Sequence, residues 1–252
     1  MDLEHFDSDG VDIAFLDEGE GDPVMLVHGF ASTATVNWVN TGWTADLTRA
    51  GRRVIALDNR GHGQSAKLHD PQAYGAELMA EDVRRLLDHL AVERADVIGY
   101  SMGARIAAFL AINHPGRVRR AVFGGLGLGM VDGVGDPEPI ATALEAPSID
   151  EVSDAQGRAF RMFADQNGAD LRALAACMRG GRKPITRDMV ATIGAPVLVA
   201  VGETDEIAGS PQGLADLIPG GEALEIPRRD HMKSVGDKVF KEAARRFLSM
   251  TE

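Results

Sequence analysis

Cysteine is almost missing from this chain of 252 residues: Cys177 stands alone, so no internal disulfide can form. No Cys/His cluster has the spacing of a structural zinc site either. Positive charge is also scarce. Lys and Arg number 26 against 38 Asp and Glu, a formal net charge of −12 and a pI near 5.0. Such a field repels nucleic acid and anionic membranes, which excludes a general role on either. No apolar run approaches the roughly 18 residues needed to span a bilayer. The N-terminal stretch, acidic from Asp2 to Gly10, lacks the basic region and apolar segment of a secretory signal. Internal repeats, low-complexity tracts and a phosphate-cradling G-x-x-x-x-G-K-[ST] loop are missing as well. The expectation is a soluble cytoplasmic protein with no nucleic-acid or membrane partner, no metal and no cofactor.

With 44% apolar and 25% charged residues, the chain is long enough for one well-cored domain with a small insertion. Val11 to Leu16 alternates apolar and polar residues, as a half-buried strand at a sheet margin would. Residues 23–27 and 53–57 are short, largely continuous apolar runs, the pattern of strands covered on both faces; 95–99 and 196–201 read as further buried strands and 118–123 as another strand. Between them, residues 74–90 and the stretch after Ser101 repeat apolar positions at helical spacing, so strand and helix alternate as in a parallel sheet. A last strand is expected at 223–226, after a helix at 211–218, and an amphipathic helix at 235–248. Regularity fails from Gly124 to Gly135, which holds six glycines, and Pro137, Pro139 and Pro147 follow. Residues 124–193, with short helices near 155–163 and 171–178, read as an insertion between a core of residues 1–123 and 194–252. The predicted fold class is α/β, a mostly parallel twisted sheet with helices on both faces and a small helical cap.

Gly99-Tyr100-Ser101-Met102-Gly103 fits G-x-S-x-G, and it lies between an apolar strand and an alanine-rich helix. Glycines on either side let a strained turn lift the serine hydroxyl clear of the sheet. A helix-capping serine would explain Ser101 but not both glycines. Serine needs a base, and histidine is the side chain whose pKa lies near neutrality. Of seven histidines, only His231 follows the last strand in a loop before a terminal helix. The imidazole in turn needs a carboxylate on Nδ1. Asp205 lies just beyond the strand ending at Val201, where parallel sheets place their sites, with Glu203 and Glu206 as competitors in the same loop. Two amide donors are expected for the oxyanion: Met102 after the nucleophile, and Phe30 in the His28-Gly29-Phe30 loop.

These residues together resemble the α/β-hydrolase superfamily over nearly the whole chain, including its order Ser101, Asp205, His231. His28-Gly29-Phe30 resembles the oxyanion-loop HG motif of that family. Residues 58–65, D-N-R-G-H-G-Q-S, resemble its structural D-x-R-G-x-G-x-S segment, so neither His62 nor Ser65 is given a catalytic role. The resemblance implies a serine hydrolase acting on a small-molecule ester or oligoester through an acyl-enzyme. The S-M-G elbow is shared by esterases, cofactor-free haloperoxidase-like enzymes and carbon–carbon bond hydrolases, so a keto-acid hydrolase and a silent ligand receptor stay open as alternatives. Family members that act on epoxides or haloalkanes carry aspartate where Ser101 stands.

The insertion is where the family places its cap. Phe30, Met130, Phe160, Phe163 and Met232 are the candidate substrate contacts, although apolar residues at helical spacing also pack a cap onto its core. Residues 151–190 carry seven basic and five acidic side chains in an otherwise acidic protein. A solvated face of mixed charge accounts for that, and a surface attracting a carboxylate-bearing substrate is the sharper reading.

Overall fold

The computed structural model describes residues 3–181 and 183–249. Eight strands form one sheet: β1 (Glu4–Asp7), β2 (Asp12–Glu18), β3 (Asp22–Val27), β4 (Arg52–Leu57), β5 (Ala95–Tyr100), β6 (Val118–Gly124), β7 (Val197–Gly202) and β8 (Gly221–Ile226). Their spatial order is β1-β2-β4-β3-β5-β6-β7-β8. The β1–β2 and β2–β4 pairs are antiparallel and the other five are parallel. The helices are α1 (Trp43–Arg49), α2 (Ala76–His89), α3 (Met102–Asn113), α4 (Gly129–Asp132), α5 (Glu138–Glu145), α6 (Ala155–Gln166), α7 (Leu171–Arg179), α8 (Arg187–Val190), α9 (Pro211–Ala215) and α10 (Lys238–Leu248).

β3 and β4 are apolar at successive positions because both faces are covered. In β3 and β4, Met25, Val27, Ile55 and Leu57 turn towards the cluster that holds Val83 and Leu87 of α2 and Phe109 of α3. Their neighbours Val24, Leu26, Val54 and Ala56 point the other way, against Trp38, Trp43 and Phe240. The period of two thus feeds two cores from one run of residues.

Strand order positions the site. From β3 the chain passes to β4 on one side, then returns to lay β5 on the other, pairing Val27 with Gly99. At such a switch point the loops leaving neighbouring strands diverge and open a crevice at their carboxyl ends. The loops after β3 and β5, which carry Phe30 and Ser101, flank that crevice.

Three expectations are corrected. The strand expected at the margin, β2, lies inside the sheet, and Ile13 to Leu16 are all buried. The margin is β1, whose sequence Glu-His-Phe-Asp offers one apolar residue and so no alternation to read. Phe6 anchors it, with its ring 6.0 Å from that of Phe15. Within residues 124–193, α5 was masked by its prolines, yet Pro139 sits in the first turn, where a missing N–H costs no helical hydrogen bond. The closing helix starts at Lys238 rather than residue 235, because Asp237 caps it by accepting the Val239 amide at 2.7 Å.

Candidate active site

Ser101 sits between β5 and α3 with φ 54° and ψ −112°, a conformation that L-residues rarely adopt. Steric contact explains why glycine flanks it. A Cβ on Gly99 would lie 2.2 Å from the Gly103 carbonyl oxygen, and one on Gly103 would lie 2.0 Å from that of Val27. Neither position accepts a side chain while α3 packs this closely on the sheet. The Ser101 amide donates to the Gly124 carbonyl at 2.7 Å, tying the turn to the end of β6.

The structure brings Ser101, His231 and Asp205 together from three different loops. His231 Nε2 lies 3.0 Å from Ser101 Oγ, and His231 Nδ1 lies 2.8 Å from Asp205 Oδ2. The Asp205 carboxylate is fully buried, and its Oδ1 accepts the amides of Ile207 and Ala208 at 2.9 and 3.0 Å. Its position is therefore set on both oxygens. Of the competing acids, Glu203 accepts the Arg228 amide at 2.6 Å and Glu206 is exposed.

Tyr100, which the sequence reading passed over, also holds the histidine. Its hydroxyl donates to the His231 carbonyl, and its ring centroid is 5.7 Å from the imidazole. Burial pushes the phenol well above its ordinary value, so it stays a donor. The available signal was a hydroxyl-bearing aromatic at the end of a fully buried strand, next to the nucleophile. Trp43 Nε1 steadies the same loop by donating to the Val235 carbonyl at 2.6 Å.

The loop after β3 is braced in a similar way. Asn37 Oδ1 accepts the Gly29 amide at 2.9 Å, and a Cβ on Gly29 would stand 3.2 Å from the Tyr100 carbonyl oxygen. His28 is fully buried; its Nε2 accepts the Asn59 amide at 2.9 Å, so Nδ1 is the protonated nitrogen and donates to the Gly29 carbonyl at 2.7 Å. Burial lowers its pKa from 6.5 to about 4. His62, with its ring 5.2 Å away, is lowered to about 3 by burial and by its neighbour. Ser65 donates to the Asp58 carbonyl at 2.6 Å, and Asp58 accepts the amides of Ala34 and Gln64. The segment 58–65 thus knits loops together behind the site.

Above Ser101 lies a cavity of about 410 Å³. Phe30, Met102, Met130 and Phe160 line it, as do Leu126, Ile140, Ile185 and Ile207. Phe163 and Met232 do not. Phe163 packs into the small apolar cluster of α5, α6 and α7, and Met232 is 49% exposed. Arg105 lines the cavity too, unmarked by any motif.

Fold and site define an α/β protein with a serine, histidine and aspartate in one hydrogen-bonded row at the carboxyl end of its sheet. The chain belongs to the alpha/beta hydrolase fold family, whose model matches residues 22–166. It is 37% identical over 130 residues to a 2-hydroxymuconate semialdehyde hydrolase of Pseudomonas sp. strain CF600, which covers 52% of this chain and 43% of that protein. The match thus spans less than half of that curated relative. Est816, described as an N-acyl homoserine lactone degrading enzyme, is 30% identical, with a TM-score of 0.71 over 97% of this chain and 100% of its own. The esterase EaEST from Exiguobacterium antarcticum is similar in fold, with a TM-score of 0.82 at 20% identity over 99% and 100% of the two chains. Among the described residues no helix is long and apolar enough to cross a membrane.

Proposed function

We propose that this protein hydrolyses small carboxylic esters through an acyl-enzyme on Ser101. The observation that carries this reading is the row from Asp205 through His231 to Ser101, with 2.8 and 3.0 Å contacts, opening on a largely apolar cavity. Asp205 holds the proton on Nδ1, so the Nε2 lone pair faces the hydroxyl. Ser101 Oγ adds to the ester carbonyl as Nε2 takes its proton. The resulting oxyanion receives the amides of Phe30 and Met102, and the latter lies in the first turn of α3, where N–H groups have no intrahelical acceptor. Nε2 returns the proton to the leaving alcohol, and water then repeats the cycle on the acyl-enzyme. Residues 124–193 are read as the cap, over a core of residues 1–123 and 194–252. Support comes from an apolar cluster in which α5, α6 and α7 pack over Ala31 and Phe30, and from Met130 and Phe160 in the cavity wall.

Initial rates on p-nitrophenyl esters of increasing acyl length, with wild type and Ser101→Ala, test the proposal. Turnover that vanishes in the variant is expected; no turnover by folded wild type on any ester would overturn it. The semialdehyde hydrolase relative favours a second reading, carbon–carbon bond cleavage in a dienoic keto acid by the same three residues. Decay of such a substrate's absorbance, without ester turnover, would select that reading.

A further inference from the structure

Besides His231, four charged side chains among the described residues border the cavity: Arg105, Asp132, Asp136 and Lys183. Three are exposed at its rim and engaged there. Asp132 accepts from Arg187 at 2.9 Å, Asp136 accepts the Glu138 amide at 3.0 Å, and Lys183 donates to Glu77 at 2.6 Å. Arg105 is half-buried in the wall itself. It lies one helical turn beyond the nucleophile, with its amide donating to the Ser101 carbonyl at 3.3 Å. Its guanidinium is steadied by an Nη2 contact to the Gly129 carbonyl at 3.2 Å, at the start of α4.

A guanidinium stays charged at every working pH, and its planar fork matches a carboxylate. In an apolar wall it is costly to cover with an alkyl chain, because a desolvated charge gains nothing from hydrocarbon. An anionic group on the substrate turns the same charge into an attraction that the low local dielectric strengthens.

We infer that Arg105 binds a carboxylate on the acyl part of the substrate, and that the site is built for monoesters of short dicarboxylic acids. The inference rests on the ester-hydrolase reading above. Ser101 and Arg105 stand one helical turn apart and line the same cavity, so one short substrate chain can meet both.

The test compares p-nitrophenyl hydrogen glutarate with its methyl ester, equal in reach but uncharged, in wild type, Arg105→Gln and Arg105→Lys. Wild type is expected to favour the free acid in kcat/KM by about tenfold or more. Arg105→Gln should collapse that preference, chiefly through KM, and Arg105→Lys should restore part of it. Equal or slower wild-type turnover of the free acid overturns the inference. So does an Arg105→Gln variant that slows both esters alike, since Arg105 would then only brace Gly129. Glutarate itself supplies a second readout, as a rise in the melting temperature of Ser101→Ala that is lost on adding Arg105→Gln. Glutarate binding that depends on Arg105, without turnover of either ester, would sink the ester reading and keep the subsite. Ester turnover without such binding would sink the subsite alone.

Discussion

Acid should destabilise this protein through two histidines that take no part in the proposed chemistry. His28 and His62 are buried and neutral, with pKa values lowered from 6.5 to about 4 and about 3. In the unfolded chain both take up protons near pH 6.5, so between that pH and the folded values the unfolded state binds more protons. Stability is therefore fully present above about pH 6.5 and is lost as pH falls towards 4 and 3. Between pH 7 and pH 5 each imidazole costs about 2 kcal/mol, and the pair about 4 kcal/mol. Urea unfolding at the two pH values measures the loss, and His62→Asn isolates one share of it. Asparagine mimics the Nδ1 donor that reaches the Arg60 carbonyl at 3.0 Å, and His62 Nε2 has no hydrogen-bond partner among the described residues. The variant should lose about 2 kcal/mol less than wild type over this interval. Equal losses in the two proteins, or imidazoles of the folded protein titrating near 6.5 by NMR, would refute the reasoning.

Asp205→Asn should lower kcat on a p-nitrophenyl ester by roughly 10³- to 10⁴-fold while the fold persists, because the amide stabilises the wrong imidazole tautomer. A loss under tenfold would count against Asp205 as the partner of His231. Tyr100→Phe leaves the His231 carbonyl without its donor; a stability loss of about 1 kcal/mol and a several-fold fall in kcat at constant KM are expected, from chemical denaturation and steady-state rates. Gly103→Ala places a methyl 2.0 Å from the Val27 carbonyl oxygen and should cost about 3 kcal/mol or more. A melting temperature within a degree of wild type would show that α3 can shift to make room.

The parallel sheet was legible because strands covered on both faces are mostly apolar at successive positions, and runs such as 24–27 and 197–201 carry that signature without help from their neighbours. Elements whose stability comes from elsewhere left weaker traces. β1 rests on Phe6 against Phe15, and α5 begins among prolines that look like loop until the first turn is seen to tolerate one. The elbow motif was visible for a steric reason that acts locally, since Gly99 and Gly103 are required wherever strand and helix close this tightly on a serine.

Chemistry that depends on distance was another matter. The order Ser101, Asp205, His231 is written along the chain, and Asp205 led there, but Glu203 and Glu206 stayed competitors within the same four residues until the loop folded. The amides of Ile207 and Ala208 then drew Asp205 inward and left Glu206 in solvent. Phe163 and Met232 are apolar like the residues that line the cavity, but the first packs into the cluster of α5, α6 and α7 and the second faces solvent. Arg105 belongs to no motif, and Tyr100 stands at a position of the elbow motif that specifies no residue. Local sterics and burial patterns are properties of neighbours in sequence, so the chain alone determined the sheet class and the strained serine. Which side chains share a cavity, and at what separation, is a property of strand order and loop packing, and only the tertiary structure decided it.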